Sequence, residues 1–158
     1  MKWRKNLSNG KLLIRVLLSL FSMAFITFIA ISTHLQAQDE CMAVTLYHEA
    51  RGEPIEGQRA VVDVIQNRSL ASFSSSCAVI KAPRQFSFVN KKTSWQATDE
   101  QMKKLREVKK VKRMLDVNYM YYHTIDVSPT WDKGMVGRRI GLHVFLKQDK
   151  EKIKWKEN

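Results

Sequence analysis

Leu46-Tyr47-His48-Glu49-Ala50-Arg51-Gly52-Glu53-Pro54 is the stretch whose reading decides the architecture of this chain. Upstream of its break, Met42, Ala43, Leu46, Tyr47 and Ala50 recur at three- and four-residue steps, the spacing of one helix face, and Asp39 is placed to cap the start. Gly52 ends that helix. Pro54 suits the first turn of a second, whose buried stripe is Ala60, Val61, Val64 and Ile65, with Glu53 and Glu56 favourably placed at its positive end. Two short helices therefore pack as a hairpin around Glu49. A carboxyl group at the end of a half-apolar helix, flanked by Tyr47 and His48, is of the kind that burial equips as a general acid.

Before the hairpin lies an apolar leader. Lys2, Arg4, Lys5, Lys11 and Arg15 form a basic segment without an acid, Val16 to Ile31 is nearly all apolar, and Leu35-Gln36-Ala37 is an acceptable cleavage pattern. Residues 1–37 thus read as a signal peptide, with an uncleaved membrane anchor through residues 12–31 as the alternative. Either version places the remainder outside the cytoplasm, in the periplasm or at the cell wall. The remainder suits one domain of the 158-residue chain. Cys41 and Cys77 both follow the leader, and two cysteines in an exported domain are expected to pair. The leader takes five of the 27 basic residues and none of the 15 acids, leaving 22 against 15, a net charge of +7. In that compartment such a charge points to anionic wall polymers or a membrane surface as partners rather than to nucleic acid.

Downstream, Ala71 to Ser76 reads as a loop, and Cys77-Ala78-Val79-Ile80 and Gln85-Phe86-Ser87-Phe88-Val89 as short extended pieces broken by Pro83. Thr98-Asp99-Glu100-Gln101 has the form of a capping box opening a long helix, with Met102, Leu105, Val108, Leu115, Tyr119 and Tyr122 on its core side. Its other side carries Lys103, Lys104, Arg106, Lys109, Lys110, Lys112 and Arg113, read first as a solvated face. Extended patterning returns around His123 to Trp131 and Arg139 to Leu146, and residues 147–158 read as a charged tail. The predicted class is α+β: a helical hairpin and a long helix with a short β region, after an N-terminal apolar leader.

Four separated pieces carry a family resemblance: Tyr47-His48-Glu49-Ala50-Arg51; Gly57-Gln58-Arg59-Ala60-Val61 leading to Asn67-Arg68; Gln85-Phe86-Ser87; and Tyr122-His123 through Pro129 and Trp131 to Gly141-Leu142-His143-Val144-Phe145. In order and spacing they resemble the SleB-like cell wall hydrolases of spore-formers, proteobacteria and phages. The resemblance spans Glu40 to Leu146 and implies a small lysozyme-like domain, here residues 38–146, that cuts peptidoglycan glycan strands with Glu49 as catalytic acid. The chain departs from the phage and proteobacterial branch, where a cysteine often precedes the Gln-Phe-Ser segment and another follows it. Here Arg84 precedes Gln85, and Val89-Asn90 follow.

Glycoside hydrolysis normally uses two carboxylates. Glu53 and Glu56 are explained by the helix dipole, and Asp126 or Asp132, which flank Trp131 in a loop, is the remaining alternative for a second acid, so Glu49 stands as the one strong candidate. A site with one carboxylate favours lytic transglycosylation between N-acetylmuramic acid and N-acetylglucosamine over hydrolysis. Gln85, Ser87, Tyr122, His123 and Trp131 are the expected substrate contacts: Gln85 and Ser87 alternate with Phe86 and Phe88, so one face can be polar, and Trp131 lies in a loop between Pro129 and Gly134. For Tyr47 core packing is the expectation. Gly52 stands four residues after His48, where a zinc-protease helix would carry a second histidine, so no metal or other cofactor is expected. The competing readings are a wall amidase or peptidase working through the histidines, and a non-enzymatic basic wall- or membrane-binding module. A monomer is expected.

Overall fold

The computed structural model describes residues 3–90 and 92–148, with side chains from residue 13 onward. The chain forms two compact units, Met1–Ala37 and Gln38–Asn158. Helix α1 (Trp3–Ala50) begins in the first. From Leu13 to Leu35 its large apolar side chains are exposed, and an apolar window of mean hydropathy 2.3 gives it the length and composition of a membrane span.

In the second unit, helix α2 (Ile55–Ala71) is central, as hydrophobic burial dictates for its stripe. Ala60, Val61, Val64 and Ile65 are fully buried against Met42, Ala43, Leu46 and Ala50 of α1. Around them stand α3 (Ser76–Lys81), α4 (Asp99–Lys110) and a sheet of β1 (Tyr119–Thr124), β2 (Met135–Ile140) and β3 (His143–Gln148), separated by a 3-10 turn at Thr130–Asp132. The sheet is antiparallel in the order β1-β3-β2. The capping box of α4 forms as expected: the Thr98 hydroxyl accepts from the Gln101 N–H, and the Gln101 side chain from the Thr98 N–H.

Several local expectations are corrected. Asp39 is not an N-cap, because the helix is already formed on its N-terminal side; its carboxylate pairs instead with Lys109 of α4. Cys77 to Ile80 is helical rather than extended. The Ser75 hydroxyl caps it by accepting the Ala78 N–H at 3.1 Å, and it ends at Ala82, in the extended conformation that a following proline imposes. A four-residue apolar run has no period by which to tell the two states apart. Gln85 to Val89 forms turns, not a strand, yet the alternation survives: Phe86 is buried, Phe88 half-buried, and Gln85 and Ser87 exposed. Tyr47 is on the surface beneath the Arg51 guanidinium, 5.1 Å from its ring centre, and not in the core. Lys147 and Gln148 belong to β3 rather than to a tail, and the rest of that segment lies outside the described residues.

The long helix is the largest correction. It ends at Lys110, and Tyr119 and Tyr122 belong to a strand. The cause lies in α2. The buried Asp63 carboxylate accepts the N–H groups of Met114 (2.7 Å) and Leu115 (3.1 Å), donors that a continuing helix would need internally. It also pairs with Arg59 at 3.0 Å and Arg113 at 3.6 Å. One turn on, Asn67 Nδ2 donates to the carbonyls of Asp116 (2.8 Å) and Tyr119 (2.9 Å). These grips aim the chain into β1.

Cys41 and Cys77 are joined, with Cα atoms 5.5 Å apart, tying α1 to α3. Replacing both by serine is expected to lower stability by about 2 to 4 kcal/mol in denaturant unfolding while sparing activity. Equal midpoints with and without the pair would reject this role.

Candidate active site

Glu49 ends the buried face of α1 and is itself half-buried. The Tyr122 hydroxyl, on β1, donates to its Oε2 at 2.9 Å. The Tyr122 ring stands edge-on to His143 at 5.2 Å and 5.6 Å from Phe145, so the sheet holds the phenol in place. Burial first, then the Glu49 charge and hydrogen bond, raise the Tyr122 pKa well above its usual 10. Tyr122 is therefore a permanent hydrogen-bond donor, and no hydrogen bond among the described residues engages the other Glu49 oxygen. Tyr122→Phe is expected to keep the fold and reduce turnover by about 10- to 100-fold, the worth of a hydrogen bond to a charged group. Unchanged turnover in initial-rate assays would contradict that role.

On the Tyr122 side of this pair opens a cleft of about 820 Å³, lined by residues of α2, α3, β1 and the 3-10 turn together with Ala82, Arg84 and Gln85. Of the candidate site residues Gln85, Tyr122 and Trp131 line it, whereas Glu49, Ser87 and His123 do not; Glu49 reaches it through Tyr122. His123 acts one step back. Its Nε2 lies 3.2 Å from the Asp132 carboxylate and its Nδ1 2.8 Å from the Thr124 carbonyl, while its ring meets Trp131 edge-on at 5.9 Å. That bracket holds Trp131, half exposed and tilted over Tyr121 at 6.0 Å, at the cleft edge. His48 stacks on Phe88 at 4.6 Å, so the three histidines serve separate tasks, and among the described residues no three potential metal ligands converge.

Arg68 was present in the sequence pattern but not singled out for the site. From α2 its Nε donates to the Met120 carbonyl at 2.6 Å and its Nη1 to Gln85 Oε1 at 3.3 Å, with its guanidinium about equally far from the Phe86 and Tyr121 rings. Burial lowers its pKa, while Tyr122, Tyr121 and Glu49 act the other way. Arg68 thus joins the cleft electrostatically to the candidate acid. The dipeptide Asn67-Arg68 on a buried helix was the available signal, since buried charges need partners.

The nearby carboxylates are committed elsewhere. Glu53 is buried; its Oε2 accepts the Leu142 N–H at 2.9 Å and its Oε1 lies 3.4 Å from His143 Nδ1. This clasp locks the helix turn to the β2–β3 hairpin and requires glycine at 141, where φ is +62° and an added Cβ would lie 2.0 Å from Glu53 Oε2. The dipole role expected for Glu53 gives way to this one. Glu56 is exposed on α2.

Residues 52–146 match the family model described as Cell Wall Hydrolase. The chain belongs to the cell wall hydrolase family. The family match starts at Gly52, just beyond Glu49. A spore cortex-lytic enzyme of Oceanobacillus iheyensis is 35% identical over 121 aligned positions, covering 68% of this chain and 41% of that protein. One from Bacillus cereus is 33% identical, with 43% of it covered, so the chain spans about two fifths of these relatives. Among solved structures, the catalytic domain of the germination-specific lytic transglycosylase SleB from Bacillus anthracis superposes with a TM-score of 0.56 at 26% identity, covering 71% of this chain and 95% of that one. The Bacillus cereus SleB catalytic domain gives 0.54 at 29%, with 91% covered. The α+β class read from the sequence holds, and the chain has the fold of the SleB catalytic domains.

Proposed function

We propose that this cell wall hydrolase cleaves peptidoglycan glycan strands between N-acetylmuramic acid and N-acetylglucosamine by lytic transglycosylation. The observation that carries this reading is one half-buried carboxylate, Glu49, held by the hydroxyl of Tyr122, a residue that also lines the cleft. Glu49 gives its proton to the departing glycosidic oxygen as the C1–O bond breaks. It then takes the proton of the muramic acid 6-hydroxyl as that oxygen bonds to C1, closing a 1,6-anhydro ring without water. A hydrolase of the two-carboxylate type would need a second acid on the opposite face, and Glu53 and Asp132 are engaged by His143 and His123. Mass spectrometry of the fragments released from purified peptidoglycan tests this: 1,6-anhydro ends are expected, whereas reducing ends would favour hydrolysis and free amino groups an amidase.

In this reading residues 38–146 carry the activity, and residues 1–37 export the chain as a signal peptide or retain it as an anchor at the membrane. Cleavage near Gln38 is expected, checked by N-terminal sequencing after expression in a Gram-negative host; an intact Met1 in the membrane fraction would establish the anchor instead. The basic side of α4 and the segment after it supports wall or membrane attachment only in part, because Lys104 and Lys109 of α4 and Arg113 beyond it already pair with Glu107, Asp39 and Asp63.

A further inference from the structure

Gln85 is held at the cleft with its side-chain amide turned one way. Arg68, from α2, is fixed by the bond of its Nε to the Met120 carbonyl at 2.6 Å, and its guanidinium lies 5.9 Å from the ring centre of buried Phe86, the residue after Gln85. Its Nη1 donates to Gln85 Oε1 at 3.3 Å. A guanidinium has donors and no acceptor, so the Gln85 oxygen must be the atom that meets it, and the amide nitrogen is left with its donors unused. Among the described residues no hydrogen bond engages Gln85 Nε2, and the side chain is exposed where it lines the cleft. Around it stand the cationic side chains of Arg68 and Arg84, and none of the described residues lining the cleft is an aspartate or glutamate.

A glycan strand offers two kinds of group at C2 of its hexosamines, and this lining tells them apart. An N-acetylated unit carries an uncharged carbonyl oxygen, an acceptor for Gln85 Nε2. An N-deacetylated unit carries an ammonium, which has no acceptor to offer, leaves the amide unpaired and is repelled by both arginines. A site built to hydrogen-bond a substrate group discriminates against the analogue lacking it, because its own polar group then goes unpaired. Resting on the glycan-cleaving reading above, we infer that Gln85, oriented by Arg68, donates to the acetamido carbonyl of a hexosamine in the strand, so that the protein selects N-acetylated over N-deacetylated glycan. Gln85 is then a specificity residue, Arg68 the residue that positions it, and both are distinct from the acid that does the chemistry.

The test uses the full chain in mild detergent with three portions of one wall preparation: fully N-acetylated, deacetylated on the glucosamine residues only, and deacetylated on the muramic acid residues only. Initial release of glycan fragments is expected to be about tenfold faster from the acetylated wall than from one of the others, ~1.4 kcal/mol of selectivity, and the portion that responds identifies the sugar read. In Gln85→Met, which has no donor, that ratio should fall close to one through a lower rate on the acetylated wall. Gln85→Glu, whose carboxylate accepts from an ammonium, should bring it to one or below. Deacetylation leaves the peptide carbonyls, carboxylates and hydroxyls of the strand untouched. A Gln85 that reads one of those would lower all the rates alike when changed to Met, and a preference set by arginine charge alone would survive that change. A ratio unchanged by Gln85→Met, or equal rates on all three walls for the unaltered protein, therefore overturns the inference. Co-sedimentation of the Glu49→Gln protein, with and without Gln85→Met, reads the same preference without chemistry. If the unaltered protein cleaves none of the walls, the glycan-cleaving reading fails, while the binding preference still decides the role of Gln85.

Discussion

Glu49→Gln is expected to cut glycan cleavage by roughly 100-fold or more and to leave folding intact, because general acid catalysis contributes on that scale. The amide keeps the shape of the half-buried side chain, and its oxygen can still accept from the Tyr122 hydroxyl, now 2.9 Å from Glu49 Oε2. It has no proton to give the leaving oxygen and cannot take one from the 6-hydroxyl. Fragment release and thermal unfolding, measured on the same preparation, separate chemistry from stability. A folded variant that releases fragments at the unaltered rate would remove Glu49 from the mechanism. Glu56→Gln is the suitable control, being exposed on α2. Glu53→Gln is not, since it alters the buried clasp on the Leu142 N–H and His143 and so confounds activity with folding.

The second large effect is on stability. Asp63→Ala removes a fully buried carboxylate that accepts the Met114 and Leu115 N–H groups and neutralises Arg59, itself almost entirely buried. Breaking such a pair on one side leaves a buried charge and two unsatisfied donors, and a loss of about 3 to 5 kcal/mol is expected in denaturant unfolding. A change below about 1 kcal/mol would mean that the segment after α4 holds its path without Asp63. Because that segment leads into β1 and Tyr122, glycan release should also fall in the fraction that remains folded.

Part of the candidate site was readable from the chain alone. Glu49 stood out because Gly52 and Pro54 break the helical pattern directly after it, and a helix end beside a turn is where a side chain can be half-buried. Trp131 and Gln85 were placed at the cleft by their loop and polar settings, and they line it. His123 was expected there too, but it is turned to Asp132, a partner with which no local pattern links it. Ser87 missed the cleft because the expected strand is a run of turns, so alternating faces no longer aim at one target.

What the sequence by itself determined is what short-range physics decides: the apolar stripes of α1 and α2, their break at Gly52 and Pro54, the capping box at Thr98, and the cysteines available to join. All but the cysteine pair depend on residues within about a turn of one another, so spacing suffices to read them; the cysteines, 36 residues apart, are read from their even number in an exported domain. The end of α4, the conversion of Tyr119 to Thr124 into a strand and the engagement of Glu53 were decided by the tertiary structure. In each case a buried polar side chain from a distant element claims backbone N–H groups: Asp63 those of Met114 and Leu115, Glu53 that of Leu142. Buried donors must be satisfied, and which acceptor reaches them depends on packing across some 50 to 90 residues of chain, which local periodicity does not encode.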